Sequence, residues 1–205
     1  MNLISKSLLT GIVLTLGMLG CAQAPTLDFV PREVRPSTTK INAEVKSITI
    51  SIASEDERLG ETQVGFYGNQ YETSFKSSFK DAIEEAIMKS AIFNDIADLK
   101  VSLVAKILKF QSPSMGVNFD TEMVVRYELI NRKDGQPIFH QDVTSNGSIS
   151  GTYAFLGAIR YTEARNVAVR NNVANFIAAL SAYKAADKAG SHTEGALGTG
   201  SPSSN

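Results

Sequence analysis

The chain has 205 residues, 43% of them hydrophobic and 20% charged, with a net charge of -1. That composition supports one packed domain with irregular ends and excludes wholesale disorder, and the near-neutral charge excludes an electrostatically driven nucleic-acid binder. One cysteine excludes a disulfide framework, and with only two histidines it leaves too few ligands for a zinc site.

Residues 1–20 carry a single charge, Lys6, ahead of an apolar stretch over 8–19 that Thr10, Gly11, Thr15 and Gly17 interrupt. A bilayer-spanning helix takes about 20 apolar residues, so this stretch is too short to span and has the length of a secretory hydrophobic region. Met18-Leu19-Gly20-Cys21-Ala22 follows. It resembles a bacterial lipobox: a large apolar residue, two more of which the last is small, then cysteine. Met18 stands where leucine is more usual. The resemblance implies lipidation of the Cys21 thiol, cleavage before Cys21 and acylation of the new amino terminus, palmitate included. Ala22 rather than aspartate beside that cysteine implies the outer membrane, with the mature chain on its periplasmic face. The other reading is an ordinary signal peptide cleaved at Ala22-Gln23-Ala24. The lipoprotein is preferred because the single cysteine sits where that chemistry uses it. Each buried CH₂ contributes about 0.8 kcal/mol, so several acyl chains hold a protein without a spanning helix.

Residues 21–43 hold Pro25, Pro31 and Pro36 and show no periodicity, which reads as an extended linker from the lipidated Cys21. Residues 184–205 are rich in Ala, Gly, Ser and Thr and read as a disordered tail. The folded periplasmic unit is therefore 44–183. Within it, Ile48, Ile50 and Ile52 repeat at period two, a strand over 45–53. A polar loop follows. Tyr71, Phe75, Phe79, Ile83, Ala86 and Ile87 are then spaced three and four apart, an amphipathic helix over 70–92 closed by Asn94-Asp95.

Alternation returns over 99–110, with Leu99, Val101, Leu103, Ala105 and Ile107 on one face. It is cleanest over 117–130, where Val117, Phe119, Met123, Val125, Tyr127 and Leu129 share a face: a half-buried antiparallel strand. Asp134-Gly135 could make a two-residue turn, or Lys133-Asp134-Gly135 a three-residue loop with Gly135 in the left-handed region. The first sets Leu129 opposite His140, mixing polar side chains into the apolar face. The second sets Leu129 opposite Phe139, Val125 opposite Val143 and Arg126 opposite Asp142, and is preferred. The next strand runs from Pro137 to Ser145 and toward Ile149. A long helix over 158–183 closes the domain, with Ala164, Ala168, Val169, Val173, Phe176 and Leu180 in its apolar stripe and Arg160, Glu163, Arg165 and Arg170 exposed.

The order is β-α-β-β-β-α. A four-stranded, mostly antiparallel sheet that is apolar on one face, accompanied by two amphipathic helices, predicts an α+β two-layer sandwich with both helices on that face. The opposite face carries Val104, Leu108, Phe110, Val124, Ile130 and Ile138, either scattered edge residues or a strip covered by a second subunit or a lipid-like ligand.

Reactive constellations are sparse. Gly147-Ser148-Ile149-Ser150-Gly151 has the outline of a nucleophile elbow, but its centre is isoleucine. His140 and Asp142 share the solvent side of one strand, facing Glu128 and Arg126, which reads as a cross-strand network. Asp81, Glu84 and Glu85 lie at helical spacing without histidine or a facing carboxylate, so no metal site is expected. No catalytic residue, metal or other cofactor is expected. The segment Tyr153-Ala154-Phe155-Leu156 offers the candidate partner-binding residues Tyr153, Phe155 and Leu156; folding back as a hydrophobic staple on the last helix is its preferred reading.

Lipobox and element order together resemble the small envelope lipoproteins built like the amino-terminal domain of TolB: LptE-like and YajG-like lipoproteins and the auxiliary lipoproteins of ABC-type envelope transporters. Ser90-Ala91-Ile92-Phe93 looks like the end of their first helix, Asp134-Gly135 before Ile138-Phe139 like their hairpin, and 164–180 like their closing helix. The resemblance implies a non-enzymatic scaffold that supports assembly or transport of an envelope component. It would be held to the membrane by its lipid anchor, bind an envelope protein or glycolipid and no nucleic acid, and be open to homo-oligomer formation. The alternatives are a structural ring subunit of an envelope secretion or motility complex, and a membrane-surface acyltransferase or hydrolase. A β-helix acyltransferase would need hexapeptide repeats, which the sequence lacks.

Overall fold

Four strands and two helices follow in the expected order: β1 (Glu44–Ile52), α1 (Asn69–Ser90), β2 (Lys100–Gln111), β3 (Phe119–Asn131), β4 (Pro137–Ile149) and α2 (Gly157–Glu194). The computed structural model describes residues 26–65 and 68–194, with 184–194 as backbone only. Cys21 and the leader lie outside the described residues. The sheet order is β1-β2-β3-β4, with β1 parallel to β2 and the other pairs antiparallel. The β1–α1 and β4–α2 connections therefore sit at one end of the sheet, and the α1–β2 connection at the other. The loops after β1, β2 and β4 and the starts of both helices share a loop end; the β3–β4 turn and the end of α1 share a turn end.

One face of the sheet supplies Val101, Leu103, Ala105, Ile107, Met123, Val125, Tyr127, Leu129, Phe139 and Val143 to a single core. Phe75, Phe79 and Ile83 of α1 and Val169, Val173 and Phe176 of α2 join the same core, so both helices cover one face, as expected. Tyr127 and Phe176 stack with ring centroids 4.0 Å apart. The outer faces are ionic: α1 carries Glu72–Lys76, Lys80–Glu84 and Glu85–Lys89 pairs one turn apart.

The β3–β4 pairing follows the expected register, with Leu129 opposite Phe139, Val125 opposite Val143 and Arg126 opposite Asp142. The odd residue sits elsewhere, however. Asn131 N–H donates to the Gln136 carbonyl and Gly135 N–H to the Asn131 carbonyl, so the loop spans 132–135. Ile130 then pairs with Pro137 and Leu129 with Phe139, which makes Ile138 the bulged residue. Gly135 still takes φ 74°, the left-handed geometry a side chain resists.

A second bulge corrects the reading of the outer sheet face. Ile107 pairs with Val125 but Lys109 with Val124, so Leu108 is inserted and every later side chain of β2 changes sides. Phe110 consequently turns into the core, and Ile138 packs against it too. Leu108, Val124 and Ala53 form a small separate cluster on the far face. It is covered by the chain's own loop after β1: Leu59 N–H donates to the Leu108 carbonyl, and Phe110 N–H to the Glu61 carbonyl.

Four further expectations change. Residues 26–43 are irregular but not a free extended linker: they form a strap on the helices, with Phe29 only 2% exposed. Burying that ring contributes about 1.5–3 kcal/mol toward the cost of ordering the segment, and Leu27, Val30 and Val34 pack against the same core. Helix α1 stops at Ser90 because Ala91 takes the left-handed conformation (φ 47°, ψ 33°), its N–H bonded to the Ile87 and Met88 carbonyls, ahead of Asn94-Asp95. Helix α2 runs past Tyr183 to Glu194, into the stretch read as tail. Finally, β3 starts at Phe119, leaving Val117 in the preceding loop.

Candidate functional site

Helix α2 is where side-chain chemistry concentrates, and almost all of it is internal. Arg165 and Arg170, expected on the surface, are 2% and 7% exposed. The Arg165 guanidinium lies 4.1 Å from the Phe110 ring centroid and donates to the Gln63 carbonyl at 2.9 Å and the Tyr161 hydroxyl at 3.1 Å. The Gln63 bond anchors the turn at Gln63–Gly65, while the cation–π contact ties α2 to β2. Arg170 donates to the carbonyl and carboxylate of Asp28, each at 3.0 Å, and pairs with Glu163. Asn166 accepts from Asp28 N–H and donates to the Thr26 carbonyl. These bonds hold the strap.

Asn172 does the same for the sheet. Its amide donates to the Val143 carbonyl at 2.9 Å and to Ser145, while its oxygen accepts from the buried Tyr127 hydroxyl at 2.8 Å. Burial pushes the Tyr127 phenol well above its ordinary range, which keeps it a donor. Ser145 donates to the Ala168 carbonyl at 2.8 Å. Between these bonds Gly147 lets β4 touch α2: a Cβ there would lie 2.1 Å from the Ala164 carbonyl oxygen and 2.4 Å from Ala168 N.

The polar residues singled out on β4 are spread along it. His140 Nδ1 lies 2.8 Å from Glu128, and Asp142 makes a two-pronged pair with Arg126 at 2.7 and 2.9 Å. The Arg126 guanidinium holds the Asp142 carboxyl below its usual range. Ser148 donates to Asp120, and Ser150 bonds Thr152. At about 3.4 Å per residue, Ser148 stands about 27 Å from His140 along the strand, so the two cannot form a nucleophile–base pair. Glu84 and Glu85 are ion-paired to lysines, and among the described residues no group of three His, Cys, Asp or Glu could hold a metal.

Exposed apolar side chains cluster at the loop end, with Met88 and Ile96 standing apart at the turn end. Tyr153, Phe155 and Leu156 are 56%, 98% and 52% exposed, and Met115 and Val117 of the β2–β3 loop are 85% and 72% exposed. Phe155 is thus no staple on α2; the loop instead bends away, with Arg160 donating to the Phe155 carbonyl. Gly151 N–H donates to the Asn118 side chain at 3.0 Å, which ties the two loops together. Between them opens a groove of about 430 Å³ lined by Gln63, Ser112, Met115, Phe119 and Tyr161. Sequence reading found the β4–α2 half of this cluster. It missed Met115 and Val117 because strand alternation was carried through Val117; the uncharged run Ser112–Asn118 was the available signal.

A second concavity, about 290 Å³, lies at the turn end beside β1, lined by Lys46, Ile48, Ile87, Met88 and Phe93. Lys100, then Lys46, hold Glu44 nearby below its usual range. Among the described residues no helix is long and apolar enough to cross a membrane.

No family model and no curated protein matches the chain. Among solved structures it is similar to protein XCC0632 from Xanthomonas campestris, of the DUF330 family. The two are 12% identical, with 80% of this chain and 97% of that one covered at a TM-score of 0.53. The hypothetical protein CT253 from Chlamydia trachomatis is 10% identical over 70% of this chain and 99% of its own, at 0.45. A lipoprotein candidate from Caulobacter crescentus CB15 is 12% identical over 52% and 80%, at 0.39. The first of these likenesses shows that the β-α-β-β-β-α sandwich of this chain is a fold also found in a DUF330 protein.

Proposed function

We propose that this chain is a non-enzymatic lipoprotein of the bacterial envelope. In this reading it is anchored through Cys21 to the outer membrane and supports assembly or transport of an envelope component by contact. The observation that carries the reading is the division of labour just described. Buried polar side chains are consumed in holding strap, turn and sheet together, while the accessible loops after β2 and β4 form an uncharged apolar cluster. Such a surface suits binding: the groove serines Ser112 and Ser114 have no histidine, carboxylate or lysine beside them in the lining to act as a base. The Met18–Ala22 lipobox supplies the anchor in this reading, and the fold shared with the DUF330 protein provides the frame.

Fractionation tests it. The unaltered chain is expected in the membrane pellet, and Cys21→Ser in the soluble fraction. From detergent-solubilised membranes the unaltered chain is expected to retain an envelope protein or glycolipid. Membrane recovery unchanged by Cys21→Ser defeats the anchor, and a persistently bare monomer defeats the contact role.

A further inference from the structure

We infer that the loops after β2 and β4 rest in the lipid surface: Phe155 and Leu156, flanked by Tyr153, Met115 and Val117, enter the acyl region beside the anchor. The inference deepens the lipoprotein reading and rests on it, naming a lipid surface as the occupant of the apolar cluster.

Three observations carry it. First, the strap fixes where the anchored end leaves the domain. Thr26 and Asp28 bond Asn166, Asp28 bonds Arg170, and residues 35–39 reach the stretch 174–181, so the strap descends α2 from its start toward its end. On α1 it likewise passes from Phe75, met by Phe29 at 4.8 Å between ring centroids, to Ser90, which accepts from Ser37 N–H. Followed backward, the chain at Thr26 heads for the loop end.

Second, the tether is short. Because 26–43 is docked, only the stretch between Cys21 and Thr26 separates lipid from domain, at most about 17 Å fully extended. Asn166 lies about 13 Å down α2 from Gly157 at 1.5 Å per residue. Acyl chains on Cys21 therefore hold the loop end within reach of the bilayer interface. Tyr153 already shares a surface hollow with Pro31 and Arg32 of the strap.

Third, the composition suits the acyl boundary. The runs 112–118 and 150–159 contain no charged residue; Asp120, the first after one, is bonded by Ser148, and Arg160, the first after the other, folds back onto the Ala154 and Phe155 carbonyls. Large apolar side chains enter the interface readily, whereas the exposed Glu55, Asp56 and Glu61 of the neighbouring loop after β1 stay in the hydrated headgroup layer, where no carboxylate is desolvated.

The sequence has no tryptophan, so a single one reports its surroundings cleanly. The full-length chain, matured with its leader in cells, is purified in detergent. It is then reconstituted into phosphatidylethanolamine–phosphatidylglycerol vesicles with or without brominated acyl chains. Phe155→Trp, and Leu156→Trp as a second reporter, are expected to lose at least about half their emission to brominated lipid. Ile96→Trp, at the exposed turn end, is expected to lose none. Flotation with the vesicles reads the anchor separately. Reporters that float but are not quenched overturn the inference and leave the anchor standing. Equal quenching at both ends overturns it as well, and so does blue-shifted emission without quenching, which would mean that a protein covers this end. A chain that fails to float removes the anchor and the inference together.

Discussion

The two helices lie on the same face of the same sheet, yet they are held by different physics. Helix α1 buries Phe75, Phe79, Ala82, Ile83 and Ala86 and carries its charges outside in one-turn ion pairs. Helix α2 buries Arg165, Asn166, Arg170 and Asn172 among its apolar residues, and each of these is bonded to a backbone carbonyl of another element. An apolar contact fixes only that surfaces meet; a buried amide or guanidinium that must find an acceptor also fixes which segment meets it. Helix α1 is a lid on a core, while α2 dictates where strap, turn and β4 go.

The largest test of that difference is at the closest contact. Gly147→Val drives side-chain atoms into the α2 backbone and is expected to cost about 3 kcal/mol or more in urea unfolding, from overpacking that no rotamer relieves. Next comes a matched pair of substitutions. Asn172→Leu keeps the volume but strands the Tyr127 hydroxyl and the Val143 carbonyl, for an expected loss of about 2–3 kcal/mol. Ile83→Val on α1 removes one buried methylene and is expected to cost about 1 kcal/mol. Equal losses would erase the distinction between the helices.

Arg170→Met sharpens the comparison locally. The strap should exchange its Asp28 amide hydrogen faster by about tenfold or more, while amides in β3 keep their protection. A pH series separates surface from interior. Arg126 lowers Asp142, and Lys106, then Ser54, lower Glu57, so these groups add stability above the unfolded carboxylate range, about pH 4, that is lost as pH falls through their native values. Arg126→Gln should flatten the Asp142 contribution to that loss. Tyr127 acts oppositely: its raised value means stability is lost as pH climbs past 10. The smallest effect is expected from Ala91→Gly. Glycine accepts the left-handed turn that ends α1 without a Cβ penalty, for a gain of about 0.5–1 kcal/mol seen as a raised midpoint in urea.

The same contrast explains what could be read from the sequence. Period-two and period-3.6 patterns fixed the element order, the shared helix face and the β3–β4 pairing, because Val125, Leu129, Phe139 and Val143 have to point together. Patterns fail where one residue is added. The bulge at Leu108 swung Phe110 inward, and the one at Ile138 relocated an offset read as belonging to Gly135. They fail again where a charged residue is buried, since Arg165 and Arg170 look like surface positions until their acceptors are known. At the candidate site, Tyr153, Phe155 and Leu156 were legible as an aromatic run between glycines. Met115 and Val117 join them only through the folding of two loops together.

The course of the strap also has a mechanical consequence. It runs down the helices from Thr26 to Ile41, which bridges Phe93, and the chain then returns up the sheet as β1. A tug on the amino-terminal side thus acts along the strap's own axis. Its bonds to Asn166, Arg170 and Ser90 must slip together rather than break in succession, so the domain resists being stripped from whatever holds its leading end.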